Sequence, residues 1–176
     1  MAMRMLDAGG MALVTDRARP PDEDNPRGYF ELESVKSLAG QEDRDWLAGA
    51  RGKVVKVISH LLQELPDHHA YRVIFMHRSI QEVIRSQNKM LVRRGEQLGD
   101  DQKVATLFEQ HLRFIQRWLK QQQNISVLDL QYSEVVRHPL QGSARVARFL
   151  KKDLDQEKMA AAVDPSLYRN RVGSPG

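Results

Sequence analysis

The sequence predicts an α/β protein with a mostly parallel sheet flanked by helices. Short β-branched runs alternate with segments of helical periodicity, the pattern of strands joined by helical crossovers. The chain has 176 residues, the size of one domain. Hydrophobic residues make up 41% and charged residues 28%, with a mean hydropathy of -0.55. That balance leaves enough apolar material for a core and excludes disordered and collagen-like chains. We expect a single domain over residues 1–176, with 164–176 as a flexible tail.

Met1 to Ala8 has helical spacing, with Met1, Met5 and Ala8 on one face and Gly9-Gly10 as the stop. It has one Arg and no sustained apolar run, so it is not read as a signal peptide. Met11 to Val14 is a short strand. Thr15 to Gly28 carries Pro20-Pro21, Pro26 and the acidic and amide run Asp22 to Asn25, and is a loop. A helix starts near Tyr29 and runs to Leu38, and Trp46-Leu47 is a packing anchor. Gly52 to Ile58 is β-branched and predicts a strand. Leu61 to Leu65 is a helical turn closed by Pro66. Tyr71 to Met76 is a second strand. Ile80, Val83, Ile84, Met90 and Leu91 mark a helix from Ser79 to about Arg94, ended by Gly95. A longer helix spans about 101–123, with Val104, Leu107, Phe108, Phe114, Ile115, Trp118 and Leu119 along it. Ile125 to Leu130 is a third strand. Pro139 opens a helix to about Lys151, and a last short helix covers Asp155 to Val163.

No stretch approaches the ~18 apolar residues of a membrane-crossing helix. Cysteine is absent, which excludes disulfides, thiolate metal sites and cysteine nucleophiles and fits a cytoplasmic protein. The net charge of +4 suits a small anionic ligand as well as it suits a nucleic acid. Arg85, Lys89, Arg93 and Arg94 form one basic strip, and Arg137, Arg145 and Arg148 another. No aromatic interleaving accompanies them, so solvated helix faces are expected and no nucleic-acid partner. His68-His69 beside Asp67 is a polar loop, and no metal site is expected.

The chemistry-bearing stretch runs from Tyr71 to Ser86. An apolar strand ends in Arg78 and a helix follows at once. Ligands of open α/β sheets bind outside the carboxyl ends of the strands. Arg78 stands at that rim, and Ser86 lies two turns into the helix. A guanidinium fork and a hydroxyl converge well on one phosphate. A surface Arg with an exposed Ser is the competing account of the same spacing.

These residues resemble the cytosolic-type sulfotransferase family and its bacterial relatives. That family moves a sulfuryl group from 3′-phosphoadenosine 5′-phosphosulfate (PAPS) to a hydroxyl or amine acceptor. Its 3′-phosphate motif is an Arg at a strand end with a Ser eight positions later, as at Arg78 and Ser86. Val55 to Pro66 is similar to the family's Lys-Thr-His-Leu-Pro segment, which implies His60 as the general base. The family Lys is replaced by Ile58, and Lys56 is the candidate substitute on the same side of a regular strand. Ile125 to Pro139 resembles the family's strand and Tyr-Glu segment, which implies that Tyr132 contacts adenine. Asp24 to Glu33 and Asp164 to Arg171 look like segments of the bacterial relatives. They make Glu31 or Glu33 an alternative base, and Arg169 and Arg171 candidates for covering the cofactor phosphate.

The resemblance implies a three-layer, P-loop-NTPase-like sulfotransferase fold. It also implies a truncated one, since the family's first strand and phosphosulfate loop have no counterpart in these residues. An unpaired sheet and an apolar slot are the expected consequence. No metal, nucleic acid or membrane is implied. The implied partners are the nucleotide donor, an unidentified small-molecule or glycan acceptor and a second copy of the chain. A catalytically inactive relative, acting as a nucleotide-binding or interaction protein, is the alternative function.

Overall fold

The structure, a computed structural model, describes residues 1–16, 20, 22, 28–40 and 44–168. In chain order the α-helices and strands are α1 (Ala2–Ala8), α2 (Trp46–Gly49), β1 (Tyr71–His77), α3 (Ile80–Arg93), α4 (Asp101–Leu119), β2 (Ile125–Gln131), α5 (Tyr132–Arg137), α6 (Pro139–Leu150) and α7 (Gln156–Ala161). Three 3-10 helices cover Glu33–Gly40, Ser59–Glu64 and Pro165–Leu167.

The sheet is parallel, as expected, and holds two strands. β1 and β2 pair over their full length, with Tyr71 opposite Ile125 and His77 opposite Gln131. The expected slot is therefore not open between them. The strands predicted at Met11 to Val14 and Gly52 to Ile58 reduce to a single parallel bridge, Leu13 to Val54. β-Branched residues favour an extended backbone, but a strand also needs a partner ladder. Among the described residues only Ala12 to Val14 supply one, through Val54 N to Ala12 O at 2.9 Å and Val14 N to Val54 O at 2.8 Å.

Alternation along the strands sends two side-chain sets to opposite faces. Ile74, Met76, Leu128 and Leu130 pack on a cluster that holds Met5 and Leu6 of α1, Val135 of α5, Val146 and Ala147 of α6 and Met159 of α7. Tyr71, Val73, Phe75, Ile125 and Val127 pack instead on Ile115 and Leu119 of α4 and Leu62 of the second 3-10 helix. Each face of the sheet is thus covered by different helices. A third cluster, around Leu38 and Leu61, seats Trp46 and Leu47 as the predicted anchor.

Local chemistry sets the helix ends. Asp100 accepts from the amides of Gln102 and Lys103 and starts α4. Asp155 does the same for Lys158 in α7. Pro139 opens α6, and Lys151 closes it in the left-handed conformation. α4 ends at Leu119, four residues before the predicted stop, because the amide of Gln121 turns back to Trp118 O and the chain enters β2. The segment from Glu33 is a tighter 3-10 helix than expected. No helix of the described residues is long and apolar enough to cross a membrane.

Candidate functional site

The two parallel strands deliver their last residues to one rim. β1 ends at His77, so Arg78 follows at its carboxyl end; Ser79 is extended, and α3 begins at Ile80. β2 ends at Gln131, and Tyr132 opens α5. Parallel pairing in register therefore brings Arg78 and Tyr132 side by side. The Arg78 guanidinium lies 5.2 Å from the Tyr132 ring centroid, within cation–π range. Tyr168, beyond the last 3-10 helix, brings a second ring to 5.8 Å from the same guanidinium. The two rings meet at 5.2 Å and 64°.

A carboxylate completes the cluster. Glu82, in the first turn of α3, is only 3% exposed. Arg78 Nε donates to its Oε2 at 3.1 Å, and the Tyr168 hydroxyl donates to Oε1 at 2.7 Å. A buried carboxylate needs such partners to remain charged. Burial pushes the Tyr132 hydroxyl above its ordinary pKa. Arg78 pulls it back, and Asp164 and Glu82 add to the rise.

On its other side Tyr132 lines a cavity of about 140 Å³ with Arg4, Tyr29, Phe30, Lys56 and Asp164. Phe30 holds a φ of +52°, a region that side-chain-bearing residues seldom adopt. Lys56 Nζ donates to the Tyr29 carbonyl at 3.1 Å and pairs with Glu31 Oε1 at 3.2 Å. Lys56 and Tyr132 thus face one cavity, with Glu31 joined to it through the Lys. Glu33 turns elsewhere: its carboxylate pairs with the exposed Lys36, and its amide donates to Asp16.

The remaining sequence candidates lie apart from this cavity or outside the description. Ser86 is half-buried on α3, two turns beyond Arg78. His60 is exposed on the second 3-10 helix, and its ring faces His111 of α4 at 5.6 Å. It does not line the cavity. Ile58 is exposed as well. Arg169 and Arg171 lie outside the described residues. Among the described residues no group of three or more His, Asp or Glu is placed to hold a metal ion.

No protein-family model, curated protein or solved structure matches this chain. The site therefore stands on its own geometry.

Glu82, Tyr168 and Arg4 are among the members that sequence reasoning missed. Glu82 had a readable signal: it follows Arg78 by four residues, the spacing of a helical ion pair, in a first turn that favours acids. Tyr168 and Arg4 had none. Tyr168 is 86 residues from the carboxylate it binds, and only folding makes that contact.

Proposed function

We propose that this chain is a sulfotransferase-like protein that binds PAPS, or its desulfated product 3′,5′-adenosine bisphosphate, at the rim formed by Arg78 and Tyr132. The observation that carries the reading is the 5.2 Å approach of the Arg78 guanidinium to the Tyr132 ring at the carboxyl ends of two parallel strands. A phosphate fork and a base-stacking ring are what a 3′-phosphoadenosine group requires of a protein. Helices on both faces of a parallel sheet agree with the three-layer, P-loop-NTPase-like architecture of the same reading.

The cavity supports one end of such a ligand and no more. Its ~140 Å³ is below the ~300–1,000 Å³ of sites that enclose a whole small molecule. The nucleotide would lie along the rim, with one anionic group directed toward Lys56 and Arg4. Lys56 would steady charge on that group, and Ser86 would sit beside the 3′-phosphate with Arg78. Transfer of a sulfuryl group to a hydroxyl or amine of a small molecule or glycan, in the cytoplasm, completes the reading, with His60 or Glu31 as proton acceptor. A second reading, nucleotide binding without transfer, is favoured by one observation: His60 does not line the cavity that Lys56 and Tyr132 share.

Calorimetric titration with 3′,5′-adenosine bisphosphate tests the proposal. Arg78 also neutralises buried Glu82, so the control is Arg78→Met with Glu82→Gln, which removes both charges together. Saturable binding that is lost in this pair and weakened in Tyr132→Ala is expected. A folded wild-type chain that does not bind overturns both readings.

A further inference from the structure

We propose that His60 and His111 form a surface site for a divalent transition-metal ion of the zinc, nickel or copper class, with water completing its coordination. The two imidazoles come from different elements, the 3-10 helix Ser59–Glu64 and α4. Their ring centroids are 5.6 Å apart and the rings are tilted by 39°.

That separation is one that a shared ion can span. An imidazole nitrogen holds zinc at about 2.0–2.1 Å, which puts the metal roughly 3.2 Å from the ring centroid. Two rings on one tetrahedral ion then have centroids about 5.2 Å apart, and about 5.5 Å at a 120° angle. Two neutral histidines in van der Waals contact, stacked or edge-on, are equally free to pack closer; the Phe75 and His77 rings are at 4.8 Å.

The hydrogen bonding around His111 has the form that ligating histidines show. Its Nε2 lies 2.9 Å from Ser59 Oγ. With the proton on Nε2 and the Ser hydroxyl accepting it, Nδ1 keeps its lone pair for a metal. A second-sphere partner of this kind fixes both tautomer and ring orientation. His60 is exposed, so an ion has direct access. Imidazole donors without thiolates select this part of the transition series over magnesium and calcium.

The site shares no residue with the nucleotide-binding rim of Arg78 and Tyr132, although a metal on His60 would leave Glu31 as the proton acceptor of the transfer reading, and it is tested with the metal alone. The full chain, without an affinity tag, is titrated calorimetrically with Zn²⁺ and with Ni²⁺. His60→Ala, His111→Ala and His68→Ala/His69→Ala are titrated alongside. His60 is exposed, so its replacement leaves the fold intact. One equivalent bound by wild type, weakened at least tenfold in His60→Ala and in His111→Ala, is expected. The loop variant His68→Ala/His69→Ala should bind as wild type does. Histidine ring NMR on wild type should show Zn²⁺ shifting the His60 and His111 resonances together. Binding that survives His60→Ala, or that is lost only in the loop variant, overturns the proposal, as does the absence of binding.

Discussion

The Tyr168 hydroxyl donates to Glu82 Oε1 at 2.7 Å, joining the last described residue to the first turn of α3. The other oxygen of that carboxylate receives Arg78. The residue that would greet a phosphate is therefore already held by a buried anion, and that anion by the C-terminal segment. In the proposed reading, a phosphate on Arg78 would therefore compete with Glu82 for the same guanidinium.

Removing Arg78 alone leaves Glu82 as a buried charge without its cationic partner, a change that costs about 3–5 kcal/mol in comparable sites. Arg78→Met should lower the unfolding midpoint sharply in urea. Arg78→Met/Glu82→Gln should recover most of the loss, because the uncompensated carboxylate is gone. A double variant no more stable than Arg78→Met shows that the pair is not coupled in this way.

Tyr168→Phe removes one donor to Glu82 and keeps the ring against Tyr132. The expected loss is about 1–3 kcal/mol, the cost of depriving a buried charged acceptor of a hydrogen bond. An unchanged thermal midpoint contradicts the geometry. The same variant should bind 3′,5′-adenosine bisphosphate with altered affinity if the segment closes over the rim.

Tyr132 and Tyr71 should ionise late in a 295 nm titration. Burial raises Tyr132, opposed by Arg78, and burial raises Tyr71, opposed by Arg44. A folded-state pKa above the unfolded value near 10 gives stability that is fully present below pH 10 and lost as the pH climbs through the raised value. Tyr132→Phe should remove one late component and flatten the alkaline decline in stability. Four tyrosines titrating together near pH 10 would contradict this.

The acid limb has the opposite sign. His111 is lowered by burial and by His60, so its contribution is present above about pH 6.5 and lost as the pH falls through the folded value. In His111→Gln the decline in stability between pH 6.5 and 5 should be shallower than in wild type. His60→Gln removes only the charge repulsion and should have a smaller effect. Identical pH–stability curves for wild type and His111→Gln would exclude the effect.

Gly9 has an ordinary right-handed backbone, yet an Ala there has no room. Its Cβ would lie 2.6 Å from Met159 Cγ and 2.8 Å from Sδ, and Met159 is fully buried, so it has no solvent side to move into. Gly9→Ala should destabilise by about 1–3 kcal/mol, as overpacked cores do. In a Met159→Ala background, where the clashing atoms are gone, Gly9→Ala should cost less than it does in wild type. A Gly9→Ala chain as stable as wild type shows that α1 and α7 can part.

The sequence by itself determined the elements whose signals are local. Tyr71 to Met76 and Ile125 to Leu130 are apolar, partly β-branched runs, and they became β1 and β2 within a residue. The periodic stripe of Ile80 to Leu91 became α3, and Pro139 opened α6. Arg78 and Tyr132 were picked out as rim residues for the same reason: each directly follows a strand whose end is visible in the sequence. Only the tertiary structure decided what needs two distant segments. Gly52 to Ile58 has strand chemistry, but among the described residues it meets a partner only at Val54, because pairing belongs to two backbones and not to one. Lys56 reached a cavity shared with Tyr132, while His60, four residues on, turned to His111. Glu82 gained its second partner from Tyr168, a contact across 86 residues that no local propensity encodes.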